Sequence, residues 1–273
     1  MAQSFDLHMH TTYCDGKNSA EEMILAAAAV GLKTVGLSGH SFTWFDTSYC
    51  MSEKDTAAYI EEVNTLKVKY ADRTRVLLGT ELDYWAEIDT APYDYLIGSS
   101  HYVLKDGAYL DVDYAAEMLM DEANKYYGGD MAAMAADYYK QVGNIVKKTE
   151  CDIIGHFDLV TKFNETLPVQ IVGTADPRYM TAWMDAVDRI FEDTAELRKS
   201  GKPNRLETLG LIEAGDRPVF EINTGAMAKG YRTTPYPAAD QIKYIKNKGG
   251  IFVLSSDSHS TDKICYVFDK IEL

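Results

Sequence analysis

Apolar residues along the chain gather in short β-type runs, separated by longer stretches with helical spacing. The runs that predict strands are Ser4–His8, Thr34–Ser38, Arg75–Gly79, Tyr95–Ser99, Asp152–Gly155, Pro218–Ile222 and Gly250–Ser255. Between the first two, Ser19 and Glu22 form a capping box ahead of an alanine-rich helix, with Gly31 as its stop. Further helices are expected from near Ser52, twice within Asp113–Lys148, from Asp176-Pro177 to about Ser200, and over Pro237–Lys248. Strands alternating with helices argue for a parallel sheet. Seven strands suggest a closed barrel or a doubly wound sheet.

Composition narrows the class. The 273 residues are 46% hydrophobic, enough for a sizeable core, and no linker or repeat divides them, so one domain over 1–273 is expected. No apolar run approaches the roughly 18–20 residues of a membrane span. The start MAQSFDLHMH lacks the basic and apolar regions of a signal peptide, and a cytoplasmic chain without a membrane partner is expected. Cys14, Cys50, Cys151 and Cys265 show no C-x-x-C spacing and read as reduced thiols. A net charge of −15 argues against a nucleic-acid polymer as partner. It still permits a small phosphorylated substrate if bound metal ions supply positive charge locally. The oligomeric state is left open.

The histidines change the picture most. His8 and His10 are two apart in a strand-like run, so both rings aim at one spot. An isolated H-x-H is a weak signal. However, His40, His101, His156 and His259 also fall at, or a few residues past, the C-terminal end of a predicted strand, as do Glu81 and Asp257. In a barrel of parallel strands that is the end where sites are built. Imidazole and carboxylate without thiolate suit Zn, Mn or Fe better than Mg or Ca.

The segments FDLHMHTTYCDG, LSGHS, GTELDY, YDYLIGSSH, IIGHFDLV, FEINTG and VLSSDSH resemble, in order, the motifs of the PHP (polymerase and histidinol phosphatase) superfamily. The stand-alone histidinol-phosphate phosphatases are the nearest in pattern, and the likeness runs from about residue 5 to residue 270. It implies an α/β fold, a distorted (β/α)7 barrel, with two or three divalent metal ions at the C-terminal mouth. It assigns one metal to His8, His10, Glu81 and Asp257, a second to Glu81, His101 and His156, and a third to Asp15, His40 and His259. Asp15 by itself reads as a turn residue; many relatives carry histidine there. Gly39 stands where many relatives have an aspartate that could support His40, and YVFDKIEL ends early in what should be a last helix.

The implied reaction is hydrolysis of a small phosphate monoester, L-histidinol phosphate, by a hydroxide bridging two metals beside Glu81. Glu81, His101 and Asp257 are the expected catalytic residues. Lys162 and Arg232, in loops after strands, are candidate phosphate clamps. Glu221 and Asn223 share a strand face and could meet the substrate's amine or alcohol end, or support metal ligands from behind. Trp44 and Phe45 are candidates for the mouth. A covalent route through Cys14 lacks the C-x5-R phosphate cradle. Two other functions remain open: a phosphodiesterase or exonuclease on nucleotides, and a metal-binding domain without catalysis.

Overall fold

In a computed structural model the described residues are 3–166 and 176–271. Seven strands pair in the order β1 (Phe5–Asp6), β2 (Thr34–Leu37), β3 (Arg75–Asp83), β4 (Tyr95–Ser99), β7 (Ile153–Ile154), β8 (Val219–Asn223) and β9 (Ile251–Ser255). Every pairing in this sheet is parallel. All seven coincide with predicted runs, although β3 continues four residues past Gly79 and carries Glu81 within the strand. β1 and β9 close the ring around Met9 and Ser258: the His10 N–H donates to Ser258 O (2.8 Å) and the Ser258 N–H to His8 O (3.2 Å). The Gln3 side chain adds two bonds to the Leu254 backbone, at 2.7 and 2.8 Å. The same contacts that complete the barrel therefore fix the two histidines.

An antiparallel hairpin, β5 (Tyr102–Lys105) with β6 (Ala108–Asp111), lies between β4 and β7 and was not among the predicted strands. Its turn is Asp106-Gly107, both at positive φ (49° and 82°). That is the Asp-Gly hairpin signature, legible in the sequence.

Helices pack on the outside. The chain forms α1 (Ala20–Ala29), α2 (Glu53–Lys69), α3 (Ala116–Tyr127), α4 (Met131–Val142), α5 (Ile145–Thr149), α6 (Pro177–Lys199), α7 (Arg205–Thr208), α8 (Gly225–Ala228) and α9 (Ala239–Asn247). The predicted capping box at Ser19 and Glu22 is present, and Asp176 caps α6 with Pro177 in its first turn. Among the described residues after β9 the helical elements are two 3₁₀ turns, Thr261–Lys263 and Phe268–Lys270, rather than the start of a last α-helix.

Alternation along the strands divides the core in two. Val76, Leu78 and Leu82 of β3 join the large apolar layer beneath the helices, whereas Leu77 joins an inner cluster with Phe5, Leu7, Tyr95, Ile97, Ile153, Val219 and Val253. Side chains two and four residues apart share a face. Glu81 therefore stands above Leu77, and Glu221 above Val219, in the same interior columns. Tyr95 plugs the lower interior and donates its hydroxyl to Leu7 O. A Cβ at Gly36 would come within 2.3 Å of that hydroxyl, and one at Gly79 within 2.1 Å of the ring that bears it, so both positions need glycine. An apolar floor of this kind excludes water from beneath the polar groups above it.

Candidate metal centre

Glu81 is the hub of the upper interior. It is 1% exposed, and five histidines face its two oxygens. Oε2 lies 3.0 Å from His8 Nε2, 3.5 Å from His10 Nε2 and 3.0 Å from His40 Nδ1. Oε1 lies 2.7 Å from His156 Nε2 and 3.2 Å from His101 Nε2. Burial alone would raise this carboxyl, but His40, His8 and His101 outweigh it and hold it well below the usual range.

Asp257 and Asp15 extend the cluster outward. Asp257 Oδ1 is 3.1 Å from His10 Nε2 and 3.7 Å from His8 Nε2, and Asp15 Oδ2 is 3.1 Å from His259 Nε2. Asp257 has a left-handed backbone (φ 49°), costly for a non-glycine residue and characteristic of functional sites. A Cβ at Gly225 would lie 2.8 Å from its Oδ2, so Gly225 leaves room for this carboxylate. The rings crowd together, with centroids 4.1 Å apart for His10 and His259 and 5.2 Å for His8 and His10.

This donor set fits divalent metal ions. Burial, reinforced by His259 and His40, pushes His10 down to about 3, so its ring is neutral near pH 7. Its Nε2 is buried without a hydrogen-bond partner and faces the carboxylates. An imidazole lone pair set against carboxylate oxygens is repulsive unless a cation lies between them. Among the described residues three groups of donors have atoms within 4.8 Å of one another: His10, Asp15, His40 and His259; His8, His10 and Glu81; and His40, Glu81 and His101. The grouping differs in detail from the three-way division expected, since His10 lies close to the outer group as well as the inner one.

Further carboxylates fix the ligand rings. Glu221 is buried behind His8, with Oε1 2.6 Å from His8 Nδ1 and Oε2 accepting from the His156 N–H at 3.0 Å. Asn223 donates to Glu221 Oε2 at 3.1 Å. Neither residue lines the cavity at the mouth. Glu221 thus lies against His8 and His156, and Asn223 between Glu221 and Asp257, whose Oδ2 its amide reaches at 3.4 Å. Asp83, which sequence reasoning missed, holds His101 Nδ1 at 3.0 Å. A ring nitrogen bound to a carboxylate in this way fixes the tautomer and leaves the other nitrogen free to ligate. A side chain at Gly39 would press on Cys14 Sγ (3.3 Å) and Met51. His40 makes its contacts to Glu81 and Asp15.

A cavity of about 520 Å³ opens over the cluster. Lys162 lines it, but its ammonium is already bonded to Asp113 Oδ1 (2.6 Å) and Asp113 O (2.7 Å). Arg232 is not on its wall: the guanidinium is buried against Asp158 Oδ2 (3.3 Å) and Thr161 Oγ1 (2.7 Å), over the Tyr236 ring. The expected phosphate clamp is thus a structural ion pair, drawn inward by the fully buried Asp158. Lys229, which sequence reasoning also missed, does line the cavity. Its Nζ is 3.4 Å from His259 Nε2, and it has no ion-pair partner among the described residues. Burial would lower its pKa, but Asp257, Asp113, Asp15 and Glu81 outweigh that and raise it, so the charge persists. Its position eight residues after Glu221, beyond the strand, was the only available signal. Cys14 is protonated, its thiol pushed up to about 12 by burial and by Asp15, which disfavours a thiolate nucleophile.

A near-closed parallel barrel with a histidine–carboxylate cluster at its C-terminal mouth defines a (β/α)-barrel protein whose donor set is suited to metal ions. The chain belongs to the PHP domain family, whose pattern it matches over residues 6–199. It is similar to a probable histidinol-phosphatase of Deinococcus radiodurans, with 27% identity over 278 residues, 96% of this chain and 89% of that protein. The histidinol-phosphatase of Bacillus subtilis is 27% identical over 191 residues, covering 61% of this chain and 70% of its own. Among solved structures, histidinol phosphate phosphatase of Lactococcus lactis, complexed with Zn, L-histidinol and phosphate, superposes with a TM-score of 0.66 at 18% identity, over 98% of this chain and 90% of that one. The hisK structure from Listeria monocytogenes gives 0.73 at 19% identity, over 98% and 100%. These likenesses agree with the (β/α)7 barrel that the family resemblance implies, one of the two folds the strand pattern left open.

Proposed function

We propose that this protein is a metal-dependent phosphatase that hydrolyses L-histidinol phosphate to L-histidinol and phosphate. The observation that carries the reading is the division of Glu81, with three histidines on one oxygen and two on the other. A buried carboxylate so placed is suited to join two metal ions, which are best provided as Zn, Mn or Fe. His8, His10, Glu81 and Asp257 would hold one ion, Glu81, His101 and His156 a second, and Asp15, His40 and His259 a third. Such a cluster, when bound, supplies an acidified water and neutralises phosphoryl oxygens.

The chain's own residues do the rest. Glu221 and Asp83 keep His8 and His101 aligned, so little reorganisation is needed when substrate arrives. Lys229 offers a cationic contact to a phosphate oxygen from the cavity wall, as a point charge. The apolar floor keeps bulk water out from below, which strengthens each electrostatic contact. The relatives named histidinol-phosphatase support the substrate, as does the Lactococcus lactis complex with L-histidinol and phosphate.

The test is the ratio of kcat/KM on L-histidinol phosphate to that on p-nitrophenyl phosphate, measured on the metal-loaded enzyme beside a dinucleotide and an aromatic diester. A preference of about a hundredfold or more, near 2.7 kcal/mol, is expected for the named substrate. Equal rates on both monoesters would reduce the reading to a general phosphoesterase, and faster diester cleavage would replace it.

A further inference from the structure

Among the described residues, two that line the cavity over the cluster have a buried polar atom without a hydrogen-bond partner: His156, at Nδ1, and Tyr236, at its hydroxyl. His156 turns its other nitrogen to Glu81 and belongs to the donor set already described. Tyr236 stands outside that set, and the reaction described above does not use it. Other buried phenols are bonded: Tyr59 donates to Gly79 O (3.0 Å), Tyr95 to Leu7 O, and Tyr139 to the Tyr179 hydroxyl (3.2 Å). Burying a hydroxyl without a partner is unfavourable, and phenylalanine would fill the same space without that cost.

Tyr236 is held so that this hydroxyl keeps one position. Its N–H donates to Asn223 O (3.0 Å) and its carbonyl accepts from the Asn223 N–H (2.8 Å), which ties the residue to the end of β8. The Arg232 guanidinium lies 4.3 Å from the centre of its ring, and Asp158 and Thr161 fix that guanidinium in turn. The buried ion pair therefore clamps the phenol. The His156 ring is its neighbour, with centroids 6.3 Å apart. Beside His156 and, at 1% exposed, as buried as Glu81, Tyr236 stands on the floor of the cavity with the donors, not on its rim. Burial raises this phenol above its usual range; Arg232 opposes the rise, and Asp113, Asp158 and Asp257 add to it. Asp113 and Asp257 are on the same cavity wall. A protonated phenol is a hydrogen-bond donor.

We infer that Tyr236 is a further catalytic residue, whose hydroxyl donates a hydrogen bond to an oxygen of the substrate's phosphoryl group. This rests on the functional reading above, in which the phosphoryl group lies over the cluster on the cavity floor and the organic part extends toward the rim. A phenol suits that place because it is neutral. It adds a donor without repelling the cations that the donor set fits, as a second ammonium there would. A donor fixed beforehand in a site shielded from water also stabilises charge without having to reorganise. Lys229, beside His259, and Tyr236, beside His156, then offer one anion two donors of different kinds.

Tyr236→Phe is the test, because it removes one oxygen that makes no hydrogen bond within the described residues. Four quantities are compared with wild type: metal content, unfolding temperature, the Kd for inorganic phosphate by calorimetry on the metal-loaded protein, and kcat/KM. Metal content should be unchanged, and the unfolding temperature should stay within about 2 °C or rise. Phosphate should bind about threefold or more weakly, the size of one hydrogen bond. The value of kcat/KM should fall about tenfold or more. The fall should be equal on L-histidinol phosphate and p-nitrophenyl phosphate, since the phosphoryl group is what they share. A fall on L-histidinol phosphate alone would put the hydroxyl on the organic part and overturn the inference. Loss of metal or a lower unfolding temperature alongside the lost activity would mark a structural role and overturn it too, as would unchanged phosphate affinity with unchanged kcat/KM. A wild type that hydrolyses neither monoester overturns the functional reading instead, and the phosphate titration then decides the inference by itself.

Discussion

Glu81, His8, His101 and His156 sit at the ends of strands and are no more than 5% exposed, whereas Asp15, Asp257 and His259 sit on loops, with the Asp15 side chain 34% exposed. The inner group is held from behind: His8 by Glu221 at 2.6 Å, His101 by Asp83 at 3.0 Å, and Glu81 by its place in a nine-residue strand. The outer group is held more loosely: from outside it, Asn223 reaches Asp257 Oδ2 and Lys229 Nζ reaches His259 Nε2, each at 3.4 Å. His259 leans on the Asp257 carbonyl at 2.9 Å, and Asp15 meets only histidines, at 3.1 to 3.7 Å. Preorganised ligands lose less freedom on binding an ion than exposed ones on loops. The inner part of the cluster should accordingly bind metal tightly, and the outer part should bind it weakly and last.

Glu81→Gln should break the comparison altogether. The variant removes the charge that serves both oxygens' worth of histidines, so metal content at two positions should fall together. Activity should fall by about a thousandfold or more, some 4 kcal/mol of transition-state stabilisation. Metal analysis beside the phosphatase assay checks this. Loss of a single ion with activity near wild type would show that Glu81 joins nothing.

Glu221→Gln probes the support of the inner group. The amide is nearly isosteric but cannot fix the His8 ring with a charge. Metal affinity should drop about 10- to 100-fold, with activity recovered by added metal. A titration with Zn or Mn under a competing chelator reads it out. If activity stays low at saturating metal while the metal affinity is unchanged, Glu221 acts on substrate after all.

The inner group was also the more legible in the sequence, and the reason is geometric. His8 and His10 share a period of two with their strand, and Glu81 shares one with Leu77, so the strand pattern carries side-chain direction. Depth along the barrel axis is not encoded by that period. Glu221 and Asn223 therefore read as sharing one face, with contact to substrate and support of the ligands from behind both left open. Charge on a loop carries still less: Arg232 and Lys229 are three residues apart, yet one is pinned to Asp158 inside and the other stands in the mouth. Only the tertiary position of Asp158, 74 residues earlier, separates them. The β5–β6 hairpin was missed for a different reason. Its strands are four residues each and half-exposed, so its hydrophobic pattern is weak and only the Asp106-Gly107 turn marks it.

The smallest expected effect is also the one that separates the two groups most sharply. Asp15→Asn keeps the size of the side chain and removes the one charge the outer group draws from the YCDG turn. Asparagine's carbonyl oxygen remains a ligand for a hard cation but a weaker one than carboxylate. Because Asp15 is partly exposed and outside the apolar layers, unfolding temperature should stay within about 2 °C of wild type. Against increasing chelator, the variant should give up one ion per chain well before the others, with kcat/KM falling about tenfold, near 1.4 kcal/mol, as that ion leaves. Asp15→His, which puts an imidazole donor in its place, should restore retention of that ion. If all ions are lost from Asp15→Asn in one step, the cluster is a single cooperative unit. The burial of Glu81 and its histidines would then confer no independence on the inner group.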